Sequence, residues 1–241
     1  MLHEQTDARS IPFERWWNVR DLGGLPTRDG RTTRHGVLVR AASPGYATAA
    51  DIDRARRLGL TTFVDLRMPG HAPDWRDAAP DVTTVEADLV GSLSPPREEI
   101  SAEQLLRILL AAGRGEVARA VDTIGRLALE SPPVVFHCHT GKDRTGLVAI
   151  VLLSLASVPE AAIVADYVAS NPGFLEMRAA LTAEPGVEFM AGAPAAIRGP
   201  VSEDAAEEAL RFLEECGGVE AYLESGGLTA AEIERAASLL R

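Results

Sequence analysis

Lysine is nearly missing from this chain: of its 24 basic residues, 23 are Arg and one, Lys142, is Lys. Cysteine is as scarce, with Cys138 and Cys216 the two representatives in 241 residues. They could pair in principle, but a chain this long in a reducing compartment needs no disulfide framework. No uninterrupted apolar run approaches the ~20 residues of a membrane-spanning helix. The longest, around Leu147–Ala156, is interrupted by Ser154 and reads as a buried helix. Met1–Ser10 is polar and has no apolar core of a signal peptide. The expectation is a soluble, cytoplasmic protein without stable membrane insertion, secretion without a signal peptide being left open. Positive charge is in deficit, 24 basic against 35 acidic residues and a net charge of −11. That deficit excludes a general nucleic-acid binder, because a phosphate backbone needs a basic face. It is also uneven: Arg9–Arg40 holds seven Arg against Glu14, Asp21 and Asp29, whereas Glu203–Arg241 holds ten acids against three Arg. The amino-terminal part can therefore attract an anion despite the acidic total.

What is present is core material. Apolar residues make up 46% of the chain, enough for a sizeable core in one domain spanning residues 1–241. Within it, residues 1–40 form an amino-terminal extension and hairpin. Asn18–Gly30 carries the turn signals Gly23-Gly24 and Asp29-Gly30, and Arg34–Arg40 reads as a strand leaving the hairpin. Thr48 suits an N-cap for a helix ended by Gly59. Thr61–Arg67 and the weaker Val82–Glu86 are strands, whereas Ser101–Ala112 and Gly115–Glu130 have helical apolar spacing. Val134-Val135-Phe136 is continuously apolar, as in a central parallel strand covered on both faces. An apolar helix over Thr145–Ala156 follows, then helices at Pro159–Ser170, Pro172–Thr182, Glu203–Cys216, Gly218–Glu224 and Thr229–Leu240, the last with Thr229 and Glu232 as a capping box. The Ala/Gly/Pro-rich stretch 183–200 reads as a loop. Strands alternating with helices give an α/β fold, a central mostly parallel sheet flanked by helices.

The chemistry concentrates in His137-Cys138-His139-Thr140-Gly141-Lys142-Asp143-Arg144-Thr145-Gly146, between the buried strand and the buried helix. Cys138 and Arg144 stand six positions apart, a C-x5-R spacing. A loop wrapped so that the N–H groups of about His139 to Arg144 converge on one point also meets the amino-terminal end of the next helix, where orphan N–H groups and the dipole favour negative charge. A phosphate there would meet the Arg144 fork, which suits two oxygens at once. The same field favours the thiolate form of Cys138. A thiolate aimed at a phosphorus cradled by N–H donors is a nucleophile with its transition-state stabiliser attached. A cysteine after a buried strand is often only a small core residue. The conjunction of His-Cys, C-x5-R, a Gly three after the Cys and Arg-Thr-Gly opening an apolar helix argues otherwise. His137 and His139 do not make a metal site with Cys138: neighbouring side chains point in opposite directions, and zinc would want more ligands than the chain offers.

These residues resemble the signature loop of cysteine-dependent protein tyrosine phosphatases. The form H-C-x-x-G-K-D-R-T-G is similar to the bacterial tyrosine/dual-specificity (triple-specificity) subgroup, which also acts on phosphoserine, phosphothreonine or phosphoinositides. Asn18-Val19-Arg20-Asp21-Leu22-Gly23-Gly24, Val64-Asp65-Leu66-Arg67 and Gly218–Leu223 match that subgroup as well, in order along the chain. The resemblance implies a protein tyrosine phosphatase-like fold and hydrolysis through a phosphocysteine without metal or cofactor. The substrate it implies is a phosphorylated protein or a phosphoinositide. Cys138 would attack phosphorus, and His139, Thr140, Gly141, Lys142, Asp143 and Arg144 would bind the phosphate. Thr145 would hydrogen-bond the sulfur, and His137 would hold the loop and support the thiolate.

Lys142 and Asp143 stand where ordinary tyrosine phosphatases carry small or variable residues. An extra ammonium group suits a substrate with additional phosphates, the alternative being a solvated Lys142–Asp143 pair at the loop rim. Protonating the leaving group calls for an Asp within hydrogen-bond reach. The remote Trp-Pro-Asp loop of classical members is absent, and Pro73-Asp74-Trp75 reads as a surface turn. Asp143 is the first choice, Asp65 at the end of a strand is the second and Asp88 is the third. Asp65 has a competing role in pairing with Arg67 or Arg20, and Asp21 one in ordering the hairpin. The helices over residues 101–130 are either a lid above the loop or plain core, and Cys216 reads as inert. Two rival readings remain, a phospho-ligand binding module with little turnover and a rhodanese-like sulfur transferase. The latter's loop is usually shorter or lacks the Arg-Thr-Gly helix start.

Overall fold

The computed structural model describes residues 8–70, 76, 79, 81–90 and 100–241. Pro73-Asp74-Trp75 lies outside the described residues. Five strands form one sheet in the order β1-β2-β5-β3-β4. They are β1 (Arg20–Asp21), β2 (Leu38–Ala41), β3 (Thr62–Asp65), β4 (Thr83–Glu86) and β5 (Val134–His137). β1 is antiparallel to β2, and every other pairing is parallel.

β5 is the middle strand, and all four of its residues are buried, as its continuous apolarity requires. The pleat still sorts its side chains. Val134 and Phe136 join Leu38 and Val64 in the main core, while Val135 joins Val39, Ala41 and Phe63 on the opposite face with Trp16. In register, Ala41, His137 and Asp65 stand side by side at the carboxyl ends of β2, β5 and β3. The segments leaving these three strands therefore emerge at one edge, where open α/β sheets place their sites.

The helices are α1 (Ala49–Arg57), α2 (Ala102–Ala112), α3 (Arg114–Glu130), α4 (Asp143–Leu155), α5 (Glu160–Val168), α6 (Asn171–Thr182), α7 (Ala195–Arg198), α8 (Glu203–Glu215), α9 (Val219–Ser225) and α10 (Ala230–Ser238). Capping boxes open α1 at Thr48/Asp51, α2 at Ser101/Gln104 and α10 at Thr229/Glu232. α4 is apolar around its circumference and buried from Leu147 to Leu153, because it packs against the sheet, α3, α5, α8, α9 and α10 together. α1 covers the other face through Ile52 and Ala55.

Three sequence-based expectations change. α4 starts at Asp143 rather than Thr145, so Asp143 and Arg144 belong to its first turn and not to the loop before it. The expected 183–200 loop contains α7. The two helices over 101–130 also divide their labour. α3 is core, with Val117, Ala118, Ala120, Val121 and Ile124 fully buried. α2 buries Leu106 and Leu110 and offers a second face to the site.

Candidate active site

His137 ends β5, and residues 138–142 connect it to α4. Each carbonyl from His137 to Gly141 meets a donor outside the turn. The Leu66 amide donates to His137 O at 2.8 Å, the Ser43 amide to His139 O at 3.1 Å, Asn18 Nδ2 to Thr140 O at 2.8 Å and Arg40 Nη2 to Gly141 O at 3.0 Å. His137 Nδ1 stands 3.2 Å from Cys138 O, and since a carbonyl only accepts, the ring proton sits on Nδ1. In a planar trans peptide the next N–H points away from the carbonyl. Carbonyls fixed outward therefore turn the amides of His139, Thr140, Gly141 and Lys142 inward. Among the described residues none accepts a hydrogen bond from the amides of Thr140, Gly141, Lys142 or Arg144. The result is a cup of donors continuous with the α4 amino terminus.

Gly141 is required by this path. Its φ is +72°, and a Cβ there would stand 2.5 Å from Ala42 N. Gly146 is required by packing, since its Cβ would fall 2.5 Å from the Tyr167 ring. Asn18 reaches Thr140 from a left-handed backbone, φ +57°, which Asn tolerates better than most residues.

The cup opens into a cavity of about 440 Å³. Cys138, His139, Thr140, Asp143 and Arg144 form its polar floor, while Met68, Val90, Leu105, Leu109 and residues 190–194 with Ile197 form apolar walls. The sulfur nucleophile and the guanidinium thus share one chamber. Arg144 Nη1 is 3.4 Å from Leu66 O, a long contact that leaves its fork available. Wall residues Leu105 and Leu109 come from α2, and the 190–197 wall comes from the segment expected to be mere loop. Composition gave no sign of this second wall.

Lys142 is fully buried, its Nζ 2.9 Å from both Asp143 oxygens and 4.9 Å from the Phe174 ring centroid. Its ammonium therefore lies behind the loop, in a buried pair rather than a solvated one, and only its amide serves the cup. Burial raises the Asp143 pKa, against the pull of Lys142 and Arg144. Asp65 does not line the cavity. Its carboxylate is held by Arg67 through Nε at 2.9 Å and Nη2 at 2.8 Å, with Arg76 Nη2 at 3.3 Å. Burial would raise its pKa, but Arg67 and His137 bring it down to about 2, which makes it a fixed anion. Asp88 accepts the Val90 amide at 2.8 Å in a turn beside the wall. Asp21 orders the hairpin by accepting from the amides of Gly23 at 2.8 Å and Gly36 at 2.9 Å. Among the described residues the buried Thr145 hydroxyl has no hydrogen-bond partner, so the expected bond to sulfur is not formed here. The His139 ring stacks on Phe189, centroids 6.2 Å apart. Both thiols are free, and Cys216 lies beside Arg114 at 3.8 Å. Among the described residues no group of three or more His, Cys, Asp or Glu is arranged to hold a metal ion.

Sequence reasoning gave no role to Arg40, Asp166 or Ser170, which stand behind the cup. The available signal was a charged residue inside an apolar stretch: Arg40 in Val37–Ala41 and Asp166 in Ile163–Tyr167.

A sequence profile of the tyrosine phosphatase family matches residues 11–241. A protein of Cupriavidus necator named as a tyrosine-protein phosphatase is 34% identical over 175 residues, covering 67% of this chain and 63% of that protein. The triple specificity protein phosphatase PtpB of Mycobacterium tuberculosis is 31% identical over 205 residues, 69% of this chain and 71% of its own. A tyrosine-protein phosphatase of Nostoc commune is 31% identical over 224 residues, 83% and 72%. The match thus spans less than two thirds of the first relative's length and about seven tenths of the other two.

The geometry of His137 makes stability depend on pH. Burial pushes its pKa down to about 4, helped by Arg67 and Arg76 and opposed by Asp65. In the unfolded chain the ring titrates near ~6.5. As pH falls from about 6.5 to about 4, the unfolded state takes up a proton that the folded state refuses, so stability falls by up to about 1.4 kcal/mol per pH unit from this residue. Urea midpoints measured across that window should decline in the parent protein and decline less in His137→Gln. Equal slopes would remove His137 as the cause.

Proposed function

The chain belongs to the tyrosine phosphatase family, and from that premise we propose that it hydrolyses phosphotyrosine in proteins through a phosphocysteine formed on Cys138. The observation that carries this reading is the cup itself: carbonyls turned outward, amides turned inward, and Cys138 and Arg144 on the floor of one cavity. Cys138 Sγ attacks phosphorus as the ester oxygen departs with a proton from Asp143. The amides of residues 139–144 and the Arg144 fork hold the three equatorial oxygens, whose charge they match better in the transition state than in the ground state. In the second step a water gives its proton to Asp143 and attacks phosphorus, releasing phosphate and the thiolate.

Asp143 is assigned as the acid because it lines the cavity with a raised pKa. Asp65 lies outside it, fixed in ion pairs. His137 supports the loop through the Cys138 carbonyl. Cytoplasmic residence is the location that two free thiols favour, since a nucleophilic thiol persists in a reducing compartment.

The walls favour an aromatic ester. Burying a phenyl-sized group is worth about 1.5–3 kcal/mol, on the order of 10–100-fold in kcat/KM over an alkyl ester that leaves the walls empty. An inositol polyphosphate would instead bring further charges against Met68, Leu105, Leu109 and Ile197, with Arg144 the one cation among the described lining residues. A phosphotyrosine peptide should therefore exceed phosphoserine peptides and inositol polyphosphates in kcat/KM by at least tenfold. Comparable turnover of the inositol phosphates would defeat this substrate assignment.

Cys138→Ser should abolish hydrolysis of p-nitrophenyl phosphate while retaining tungstate binding, and Arg144→Ala should lose both. Undiminished hydrolysis by Cys138→Ser would end the mechanism. Asp143→Asn should lower kcat by roughly 10²-fold or more on basic leaving groups and far less on p-nitrophenyl phosphate. If Asp65→Asn shows that leaving-group dependence and Asp143→Asn does not, the acid is Asp65.

A further inference from the structure

Behind the cup lies a buried ionic group that the hydrolytic steps do not use. Asp166, on α5, is 1% exposed and faces three guanidinium groups: Arg9 Nη1 at 2.7 Å, Arg20 Nε at 3.2 Å and Arg40 Nη1 at 2.5 Å. Arg40 is fully buried on β2. Its other nitrogen, Nη2, donates to Gly141 O at 3.0 Å and to Ser170 Oγ at 3.0 Å. The same nitrogen stands 3.3 Å from where a Gly146 Cβ would be, so Arg40 touches both the loop and the first turn of α4. Burying such charges costs several kcal/mol each unless they are paired and hydrogen-bonded. Three guanidinium groups converge on this one carboxylate, and among the described residues Arg20 Nη1 and Arg40 Nε have no hydrogen-bond partner. The arrangement is expensive as a purely structural device, because an apolar residue at 40 would fill the same core without a buried guanidinium.

We propose that Arg40, oriented by Asp166, is a positioning residue of the oxyanion cup. Its Nη2 fixes the Gly141 carbonyl outward, which turns the Lys142 amide toward the phosphate. Arg40 touches neither substrate nor phosphorus and acts through the 141–142 peptide. Displacement of a single preorganised oxyanion donor is worth about 10²–10³ in kcat when the donor is lost outright, and a smaller part of that when it is only loosened. Burial and the neighbouring Arg40 bring the Arg20 pKa down to about 10 despite Asp166, so the guanidinium groups of the cluster act on one another. The proposal rests on the phosphatase reading of the same loop.

The test is the inhibition constant of tungstate, together with KM and kcat for p-nitrophenyl phosphate, in the full chain. Inhibition constant and KM do not depend on the fraction of active protein, so a merely structural role lowers the melting temperature and apparent kcat and leaves both constants where they were. Arg40→Gln should raise the tungstate constant about tenfold and lower kcat about 10- to 100-fold. Arg40→Lys keeps the charge but cannot span Asp166 and the Gly141 carbonyl at once, and should fall between Arg40→Gln and the parent. If Arg40→Gln does not fold, Arg40→Lys decides by the same two constants. Unchanged tungstate inhibition and KM in the folded variants would overturn the proposal while Cys138→Ser remains inactive. Turnover by Cys138→Ser would instead overturn the phosphatase reading itself.

Discussion

Five carbonyl groups between His137 and Gly141 must be satisfied from behind before the amides on their other side can face a ligand. That requirement explains why segments far apart in sequence converge on the loop: Asn18 from the hairpin, Arg40 and Ser43 from the end of β2 and just beyond it, Leu66 from the end of β3. Each contributes one donor. A buried carbonyl left without a partner costs about 1–3 kcal/mol, so the turned-in conformation is the one in which the loop and its surroundings are both satisfied. The protein's own donors hold the amides of the cup in place, which is what preorganisation means in energetic terms.

Charge is arranged in two tiers around that cup. The front tier, Arg144 and the inward amides, meets the ligand. The rear tier is buried and split into two groups with different balances. Lys142 Nζ lies over the Phe174 ring and donates to both Asp143 oxygens at 2.9 Å, whereas three arginines converge on Asp166. Asp65 is paired with Arg67 and Arg76 beside His137. These pairs separate the carboxylates by environment. Those of Asp65 and Asp166 are held ionised by guanidinium groups, and that of Asp143 is raised by burial and opens on the cavity. An acid and two fixed anions thus arise from one residue type through placement alone.

The walls of the chamber come from two elements with no chemistry of their own. α2 lends Leu105 and Leu109 from one face while Leu106 and Leu110 anchor the other in the core, so the wall is rigid where it meets the protein and apolar where it meets the ligand. Residues 190–194 and Ile197 complete the apolar lining. Size and polarity of the ligand are thereby selected by residues remote from the loop in sequence, and reaction type by the loop itself.

Much of this was legible in the residues. The C-x5-R spacing, Gly141 and the apolar strand and helix that flank the loop are local features, and local geometry follows from them because the backbone between a buried strand and a buried helix has few ways to turn. The sheet was readable for the same reason, since apolar runs bounded by Gly and Pro mark strands wherever they occur. Where the side chains of Lys142, Asp65 and Thr145 point was not readable. Each is polar, each has several partners of suitable chemistry in the chain, and only packing decides which one is within reach. Likewise, nothing in Arg40 or Asp166 taken singly says that they meet. Their pairing depends on β2 and α5 being brought together across a common core, a long-range contact that a linear pattern cannot encode.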